Sequence, residues 1–229
     1  MNSFIIDTHV HTSEVSSCGK VPACEVVKLY ADKKYNALII TDHYYRDYFE
    51  SLGSISWKEK IDIYLTGFRK AKSKGGKLGL EILLGIELRF DQGPNDYLVY
   101  GMDENFLYNN PELYKMTPSE FYRFKKDKGL AVYQAHPFRA NMTAEKPENL
   151  DGIEVLNGNP RHNSFNKSAY AYASVNKLRM LSGSDFHQPQ DLALGGLIID
   201  ELPLTSREFA DYILGNKKIE LIGISALTA

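Results

Sequence analysis

The stretch Phe4-Ile5-Ile6-Asp7-Thr8-His9-Val10-His11 joins a short apolar run to a group of ligand-type side chains. The apolar run predicts a buried β-strand, and the alternation of Asp7, His9 and His11 places their side chains on one face of an extended chain. Four later apolar runs are followed or closed in the same way, by His43, Glu87, His136, and Asp185 with His187. Ligands that successive strands bring to a common rim indicate a multinuclear metalloenzyme.

Strand-like and helix-like segments alternate along the whole chain. Further strands are predicted at residues 97–100, 153–156, 195–199 and 219–222, and helices at 22–35, 57–74 and 117–128, with another helix starting near Thr205. Such alternation predicts a mainly parallel sheet. Ligand-type residues at nearly every strand end favour a barrel with one catalytic rim over an open sheet with a single switch point. We therefore predict an α/β barrel of about seven strand–helix units, in one domain over residues 1–229.

Composition excludes several classes of protein. The net charge of −2 gives no basic field for nonspecific nucleic-acid binding. Two cysteines, Cys18 and Cys24, are too few for a disulfide framework and suit a reducing compartment. Neither a signal peptide nor an apolar run of the ~20 residues that a membrane span needs is visible. These features predict a soluble cytoplasmic protein without a membrane partner, and they leave its oligomeric state open.

Six motifs together resemble those of the PHP (polymerase and histidinol phosphatase) family. They are IDTHVHT, LIITDHY, LLGIELR, QAHPFR, DGIEVLNG and LSGSDFH, in the family's order and spanning Asp7 to His187. The first motif alone would also suggest an amidohydrolase, but Glu87 in the third motif favours the PHP family. The resemblance implies a distorted seven-stranded (β/α)7 TIM-like barrel that holds two or three divalent metal ions, which would be Mn, Fe or Zn.

The resemblance also implies which residues hold each metal. The first metal would be held by His9, His11, Glu87 and Asp185. Glu87 would bridge to a second metal, which His136 would also bind, and His43 and His187 would hold the third.

Two positions depart from the family's pattern and leave alternatives open. In the loop after the first strand, either Glu14 or Cys18 stands where the family offers a further ligand. We favour Glu14, because a carboxylate suits Mn²⁺ or Fe²⁺ whereas a thiolate favours Zn²⁺. His162 is a candidate for the missing ligand of the second metal, for a contact to phosphate, or for the cap of a following helix.

Arginines at the predicted rim indicate a phosphorylated substrate. Arg139 follows the His136-Pro137 pair directly, and Arg161 lies in the loop of His162; a guanidinium binds phosphate oxygens in a bidentate way. Arg89, two residues after Glu87, could belong to the same rim or to the solvated surface.

The predicted function is hydrolysis of a small phosphomonoester by a metal-activated hydroxide, with Asp185 as the proton acceptor and Arg139 balancing charge. Alternatives are a histidinol-phosphate phosphatase, an exonuclease or oligonucleotide phosphatase, a phosphotyrosine-protein phosphatase and, last, a non-catalytic metal-binding module. The low net charge makes a nucleic-acid substrate the weaker choice without excluding it.

Overall fold

A computed structural model describes residues 3–228 of the chain. Met1, Asn2 and Ala229 fall within the domain range predicted from the sequence, and they lie outside the described residues. Strands and helices alternate over the described part, which confirms the predicted α/β class. The single-domain boundaries stay a prediction.

The strands of the described residues form one sheet. They are β1 (Phe4–Val10), β2 (Ala37–Ile40), β3 (His43–Tyr44), β4 (Glu81–Arg89), β5 (Asp96–Tyr100), β6 (Ala131–Gln134), β7 (Gly152–Asn157), β8 (Arg179–Gly183), β9 (Leu197–Ile199) and β10 (Ile219–Leu221). The apolar runs that predicted them are buried, as in β2, where all residues from Ala37 to Ile40 are inaccessible to solvent.

Helices occupy most of the connections between the strands. They are α1 (Ala23–Asp32), α2 (Arg46–Ser51), α3 (Trp57–Tyr64), α4 (Thr66–Leu78), α5 (Glu104–Asn109), α6 (Pro118–Phe124), α7 (Asn166–Asn176), α8 (Ser206–Leu214) and α9 (Ser225–Thr228), with single 3₁₀ turns at Leu113–Lys115, Pro147–Asn149 and Pro189–Asp191.

The sheet curls into a nearly closed barrel. Its strand order is β10-β9-β1-β2-β4-β5-β6-β7-β8, and the short β3 pairs beside β4. Strand β8 returns to β1, where Val10 and Phe186 form a parallel bridge and Thr8 donates a hydrogen bond to the Ser182 carbonyl at 2.9 Å. β9 pairs antiparallel with the first half of β1 and extends the sheet beyond this seam.

Six strands of the barrel run in the same direction, and the short β3 beside β4 and β10 at the edge share that direction. β1, β2 and β4 are parallel neighbours, and so are β6, β7 and β8, while β5 is antiparallel to both β4 and β6. The carboxyl ends of these six strands therefore meet at one rim. The predicted count of seven strands in a regular (β/α)7 repeat is not confirmed, because β5 breaks the parallel repeat and β9 and β10 add a hairpin at the edge.

Two helix predictions need correction and two caps are confirmed. The helix predicted over 57–74 is two helices, α3 and α4, separated at Leu65. Glycines in a helix cost only ~1 kcal/mol each relative to alanine, so Gly75-Gly76 do not end α4. It ends at Gly79, whose φ of 71° is the left-handed cap that glycine favours. Thr117 forms the predicted capping box with Glu120, and Thr205 caps α8.

None of the helices in residues 3–228 combines the length and the apolar character needed to cross a membrane.

Candidate metal centre

The shared rim gathers the ligand-type residues that the sequence predicted for it. His9 and His11 lie at the end of β1, His43 begins β3, and Glu87 lies near the end of β4. His136 is the second residue after β6, and Asp185 and His187 follow β8. We call these seven side chains the rim cluster. All of them are buried except His43, which is partly buried.

The ligand atoms of the rim cluster form overlapping groups in which they lie within 4.8 Å of one another. The groups are His9, His11 and Asp185; His9, Glu87 and His136; and His11, His43 and His187. A further group, His43, Glu87 and Asp96, includes a carboxylate that Arg89 already holds through two hydrogen bonds of 2.8 Å. The first three groups resemble the division among three metals that the family resemblance implies, with three differences: His9 also lies in the second group, His11 also lies in the third, and Glu87 is not in the first.

Several atoms of the rim cluster are buried without a hydrogen-bond partner among the described residues. They are Nε2 of His9, Nε2 of His11 and Oε2 of Glu87. A buried polar group left in this state costs ~1–3 kcal/mol, so such atoms normally have a partner. Imidazole nitrogens and carboxylate oxygens are ligands for Zn²⁺, Mn²⁺ and Fe²⁺. The orphaned atoms therefore fit divalent metals in kind.

The backbone is unusual at two members of the rim cluster. His136 has a φ of 28° and Asp185 a φ of 52°, both in the left-handed region that side chains with a Cβ rarely adopt. Strain of this kind costs about 1–3 kcal/mol per residue and concentrates at functional sites. With this backbone conformation, both side chains join the rim cluster shortly after β6 and β8 end.

Glu154, on β7, orients His9 and His136 by hydrogen bonds to atoms that do not face the cluster. Our sequence analysis did not identify this residue. Its Oε1 accepts a hydrogen bond from Nδ1 of His9 at 2.9 Å, which leaves Nε2 of His9 facing the cluster. Its Oε2 accepts from the backbone N–H of His136 at 3.0 Å and from the amide of Asn157 at 2.9 Å. A carboxylate behind a ligating histidine fixes the ring orientation and its tautomer. The signal was present in the motif DGIEVLNG, where Glu154 interrupts an otherwise apolar strand.

Asp42 acts in the same way on His11, through Ser16. Nδ1 of His11 donates to the Ser16 hydroxyl at 3.1 Å, and that hydroxyl donates to Asp42 at 2.7 Å. The chain fixes the tautomer in which Nε2 of His11 is free to bind a metal.

The charges of the rim cluster are strongly coupled. Burial raises the pKa of Glu87, but His43 and His9 outweigh it, and the pKa lies well below its ordinary value. Burial is likewise outweighed at Asp185, mainly by His9, so the pKa of Asp185 is also well below its usual range. Burial, together with the neighbouring imidazole of His187, holds the pKa of His11 well below its ordinary value. Ionised carboxylates and a neutral imidazole are the forms that bind a metal.

The loop after β1 brings Cys18 to the rim cluster and directs Glu14 elsewhere. Oε2 of Glu14 accepts from the backbone N–H of Ala23 at 2.9 Å, at the start of α1, and its other oxygen lies 3.4 Å from Lys70. Sγ of Cys18 lies 3.2 Å from Nε2 of His43. Burial raises the pKa of this thiol, but hydrogen bonds with His187 and His43 bring it down to about 6. The structure thus reverses our preference for Glu14.

The physical reason lies in two consecutive turns of this loop. Ser16 N donates to Thr12 O at 3.0 Å and Gly19 N donates to Ser16 O at 2.8 Å. These bonds reverse the chain twice, so Glu14 faces α1 and Cys18 faces His43. Residue counting from either end of the loop does not reveal such turns.

Of the three candidate arginines, only Arg139 reaches the rim cluster. Its guanidinium donates to Asp185 at 2.7 Å, and also to Asn157 at 3.0 Å and Ser164 at 3.2 Å, while its buried Nε has no partner among the described residues. Arg161 instead donates twice to Asp191, at 3.2 and 2.7 Å. A substrate contact by Arg161 stays a prediction and would require that this ion pair open.

His162 lies beside a cavity next to Arg139. The cavity has a volume of about 600 Å³ and is also lined by Asn157 and Ser164, the partners of Arg139, and by Phe165. His162 is exposed, and α7 begins later with Phe165 as its N-cap, so His162 does not cap that helix. Burial and the nearby guanidinium of Arg139 lower the pKa of His162. Its role as a metal ligand or phosphate contact stays a prediction.

The PHP domain family matches residues 7–180, which is well over half of the chain, and the protein therefore belongs to the PHP domain family. This confirms the resemblance to the family; five of the six motifs lie within or overlap the matched residues, and the sixth, LSGSDFH, follows them directly. The family comprises metal-dependent hydrolases of the phosphoesterase type. A comparison of the sequence with curated proteins finds no match.

Three solved structures share the fold. A two-domain protein from Bacteroides vulgatus ATCC 8482, which contains a predicted PHP-like metal-dependent phosphoesterase, is 19% identical with a TM-score of 0.64, over 96% of this chain and 64% of that chain. PsfC from Pseudomonas syringae PB-5123 is 15% identical with a TM-score of 0.66, over 96% of this chain and 91% of that chain. The lesion-specific endonuclease PfuEndoQ from Pyrococcus furiosus is 13% identical with a TM-score of 0.63, over 96% of this chain and 58% of that chain. The chain thus spans less than two thirds of the Bacteroides protein, and identities this low show the fold alone.

Proposed function

We propose that this protein hydrolyses a phosphomonoester of a small molecule with two or three divalent metal ions. One observation carries the proposal above the others: Asp185 belongs to the rim cluster and also accepts a hydrogen bond from Arg139. A single carboxylate thus links the groups that can hold metals to the guanidinium that can hold a phosphate oxygen. This arrangement supports hydrolysis at phosphorus over binding alone.

The residues that would hold the metals are those of the rim cluster. The orphaned atoms of His9, His11 and Glu87 face one another, and Nε2 of His136 lies 3.1 Å from Oε1 of Glu87. When bound, the metals would polarise the phosphate and lower the pKa of a water molecule between them. His43 and His187 lie at the exposed side of the cluster, where a third ion would be nearest to solvent.

In this proposal Asp185 would accept the proton of the attacking water. Its low pKa keeps it ionised at neutral pH, so it is in the form that can take up a proton. Its Oδ1 lies 3.4 Å from the Nε2 atoms of His9 and His11, and its Oδ2 faces Arg139. One oxygen therefore faces the metal groups while the other is held by a cation.

Arg139 is placed to bind the phosphate. Its Nη2 group contacts Asp185, Asn157 and Ser164, which hold the guanidinium in one orientation. Its unpartnered Nε remains as a donor for a ligand oxygen. A preorganised donor aimed at developing charge is worth ~2.7–4 kcal/mol of transition-state stabilisation.

We assign the cavity beside His162 to the leaving group of the substrate. Four asparagine side chains, those of Asn157, Asn159, Asn163 and Asn166, line it, and the half-exposed ring of Phe165 lies at its mouth. This mixed lining, in which the amides lie among apolar side chains, suits a small metabolite with hydroxyl or amine groups, a class that includes histidinol phosphate. Its volume of about 600 Å³ is in the range of small-molecule sites.

The test is an initial-rate comparison of substrate classes with protein loaded separately with Mn²⁺, Fe²⁺ and Zn²⁺. The panel contains small phosphomonoesters including histidinol phosphate, a phosphotyrosine peptide, a phosphodiester and an oligonucleotide. We expect the highest kcat/KM on a small phosphomonoester. Faster cleavage of the oligonucleotide would replace the proposal with the nuclease alternative, and absence of turnover by the metal-loaded protein would favour a binding module. A Glu87→Ala preparation purified in parallel controls for contaminating phosphatases.

A further inference from the structure

Cys18 and two imidazoles converge at the exposed edge of the rim cluster. Sγ of Cys18 lies 3.2 Å from Nε2 of His43 and hydrogen bonds with the side chain of His187. The loop is held in this position because Lys20 N donates to His187 O at 2.7 Å. The approach of the thiol is therefore part of the folded loop.

Each of the two imidazoles directs its Nδ1 at an oxygen atom of the protein. Nδ1 of His43 lies 2.6 Å from Oε2 of Glu87 without the geometry of a hydrogen bond, and Nδ1 of His187 donates to the carbonyl of Asp185 at 2.8 Å. Nε2 of His43, the other nitrogen of its ring, faces Cys18. Two imidazoles and a thiolate are ligand types that Zn²⁺ takes in mixed sulfur–nitrogen sites.

His11 supplies a separate indication that an ion belongs here. Its ligand atom lies within 4.8 Å of those of His43 and His187. Its side chain is fully buried, and its Nε2 has no hydrogen-bond partner among the described residues. A nitrogen in this condition, directed at the same point as its neighbours, needs a partner that the protein does not provide.

We propose that Cys18 is a thiolate ligand of the metal held by His43 and His187, and that it makes this position selective for Zn²⁺ over Mn²⁺. Thiolate is a soft ligand, and mixed sulfur–nitrogen sites favour Zn²⁺ whereas oxygen-rich sites favour Mn²⁺. The inference rests on the metal binding in the proposed function, and it is independent of the substrate. It assigns to this chain a ligand that distinguishes one metal position from the other two.

Cobalt spectroscopy tests the proposal directly, because a thiolate bound to Co²⁺ gives a charge-transfer band in the near ultraviolet. We expect the band in the wild-type protein titrated with Co²⁺ and its loss in Cys18→Ser. Cys24→Ser is the matched control, since Cys24 lies on α1 and its thiol donates to the carbonyl of Lys70, at 3.9 Å, away from the rim cluster. A band that persists in Cys18→Ser, or that disappears in Cys24→Ser, overturns the proposal.

Metal content gives a second readout that does not depend on turnover. Cys18→Ser should retain about one Zn²⁺ fewer per chain than the wild type after passage over a chelating resin. Cys18→Asp should restore an ion at that position but bind Mn²⁺ in preference, and equal Zn²⁺ retention by all three proteins contradicts the assignment. A protein that shows the cobalt band without phosphatase activity would disprove only the proposed function. Phosphatase activity without the band would disprove only the role of Cys18.

Discussion

Two pairs of buried carboxylates lie at the same end of the barrel and differ in the kind of group that surrounds them. Asp7 accepts hydrogen bonds from Ser184 N at 3.0 Å, His9 N at 3.2 Å and the Tyr30 hydroxyl at 2.7 Å. Asp42 likewise accepts from backbone and hydroxyl donors of the loop after β1. Glu87 and Asp185 instead face imidazoles, and Oε2 of Glu87 has no hydrogen-bond partner among the described residues.

The pKa values of these groups diverge accordingly. Burial raises the pKa of Asp7 and of Asp42 to about 6, because their neutral donors compensate only part of the lost hydration. At Glu87 and Asp185 the surrounding histidines outweigh burial and hold the pKa well below its ordinary value.

The difference shows how one rim can contain both structural and functional carboxylates. Asp7 and Asp42 are satisfied by the protein and fix the geometry of β1 and its loop. Glu87 and Asp185 are surrounded by imidazoles and, at Asp185, by the Arg139 guanidinium, and each has an oxygen directed at the ligand atoms of the rim cluster. Substitutions in the first pair should therefore change stability, and substitutions at the rim cluster should change metal binding or turnover.

The largest effect is expected for Asp185→Asn, which should lower kcat by about a thousandfold by removing a metal ligand and the proposed proton acceptor. Asparagine is among the few side chains that tolerate the φ of 52° at this position, so the fold should persist. The measurements are kcat on a small phosphomonoester, metal content and the far-UV circular dichroism spectrum. Near-normal turnover by a metal-loaded variant would remove Asp185 from the role of base.

Arg139→Ala should lower kcat/KM by about 30- to 150-fold, equivalent to about 2–3 kcal/mol of transition-state stabilisation. Metal content should change little, because Arg139 contacts a ligand without being one. Lysine at this position should recover only part of the activity, since an ammonium cannot make the bidentate contact.

Arg161→Ala is the comparison for this measurement, because Arg161 is held by Asp191 rather than by the rim cluster. It should alter kcat/KM much less than Arg139→Ala. An equal loss in both variants would mean that Arg161 also reaches the substrate.

Glu154→Gln should weaken metal affinity by about 10- to 100-fold. The carboxylate accepts from three donors, and an amide has only one acceptor oxygen and would direct its NH₂ group at a donor. Competition with a chromogenic chelator measures the affinity. Unfolding of the metal-free variant serves as the control, and unchanged metal affinity with lost stability would place Glu154 with the structural carboxylates.

Gly67→Ala should have the smallest effect on the rim and act only on stability. A Cβ at Gly67 would lie 2.1 Å from the Thr12 hydroxyl and 3.0 Å from Asp42, so α4 would have to move away from the Asp42 network. We expect a loss of about 1–3 kcal/mol in the free energy of unfolding of the metal-free protein, measured with urea.

Gly76→Ala is the matched control on the same helix, where a Cβ would meet nothing within 4 Å. There the substitution should stabilise the protein by ~0.5–1 kcal/mol, because alanine is the better helix former. Equal changes in the free energy of unfolding for the two variants would show that helix propensity, and not contact with the Asp42 network, causes both changes.

The sequence predicted most of the rim cluster because strand periodicity is a local property. His9 and His11 alternate within one strand, and the other members follow apolar runs directly, so each could be placed without knowing its neighbours in space. Asp7, which the alternation placed on the same face, instead accepts hydrogen bonds from Tyr30 and Ser184 and lies outside the rim cluster. Glu154 was missed since its partners, His9 and His136, are distant in sequence. The capping boxes were predictable for the same reason as the strands, whereas the antiparallel β5 depended on pairing across the sheet.

The sequence by itself determined the alternating α/β architecture, the family and the residues that occupy the carboxyl ends of the strands. Only the tertiary structure decided that Cys18 and not Glu14 approaches His43, and that Arg139 and not Arg161 faces Asp185. The physical reason is that secondary structure follows from the period of buried side chains along the chain. The direction of a loop side chain depends instead on turns and ion pairs formed between segments that are far apart in the sequence.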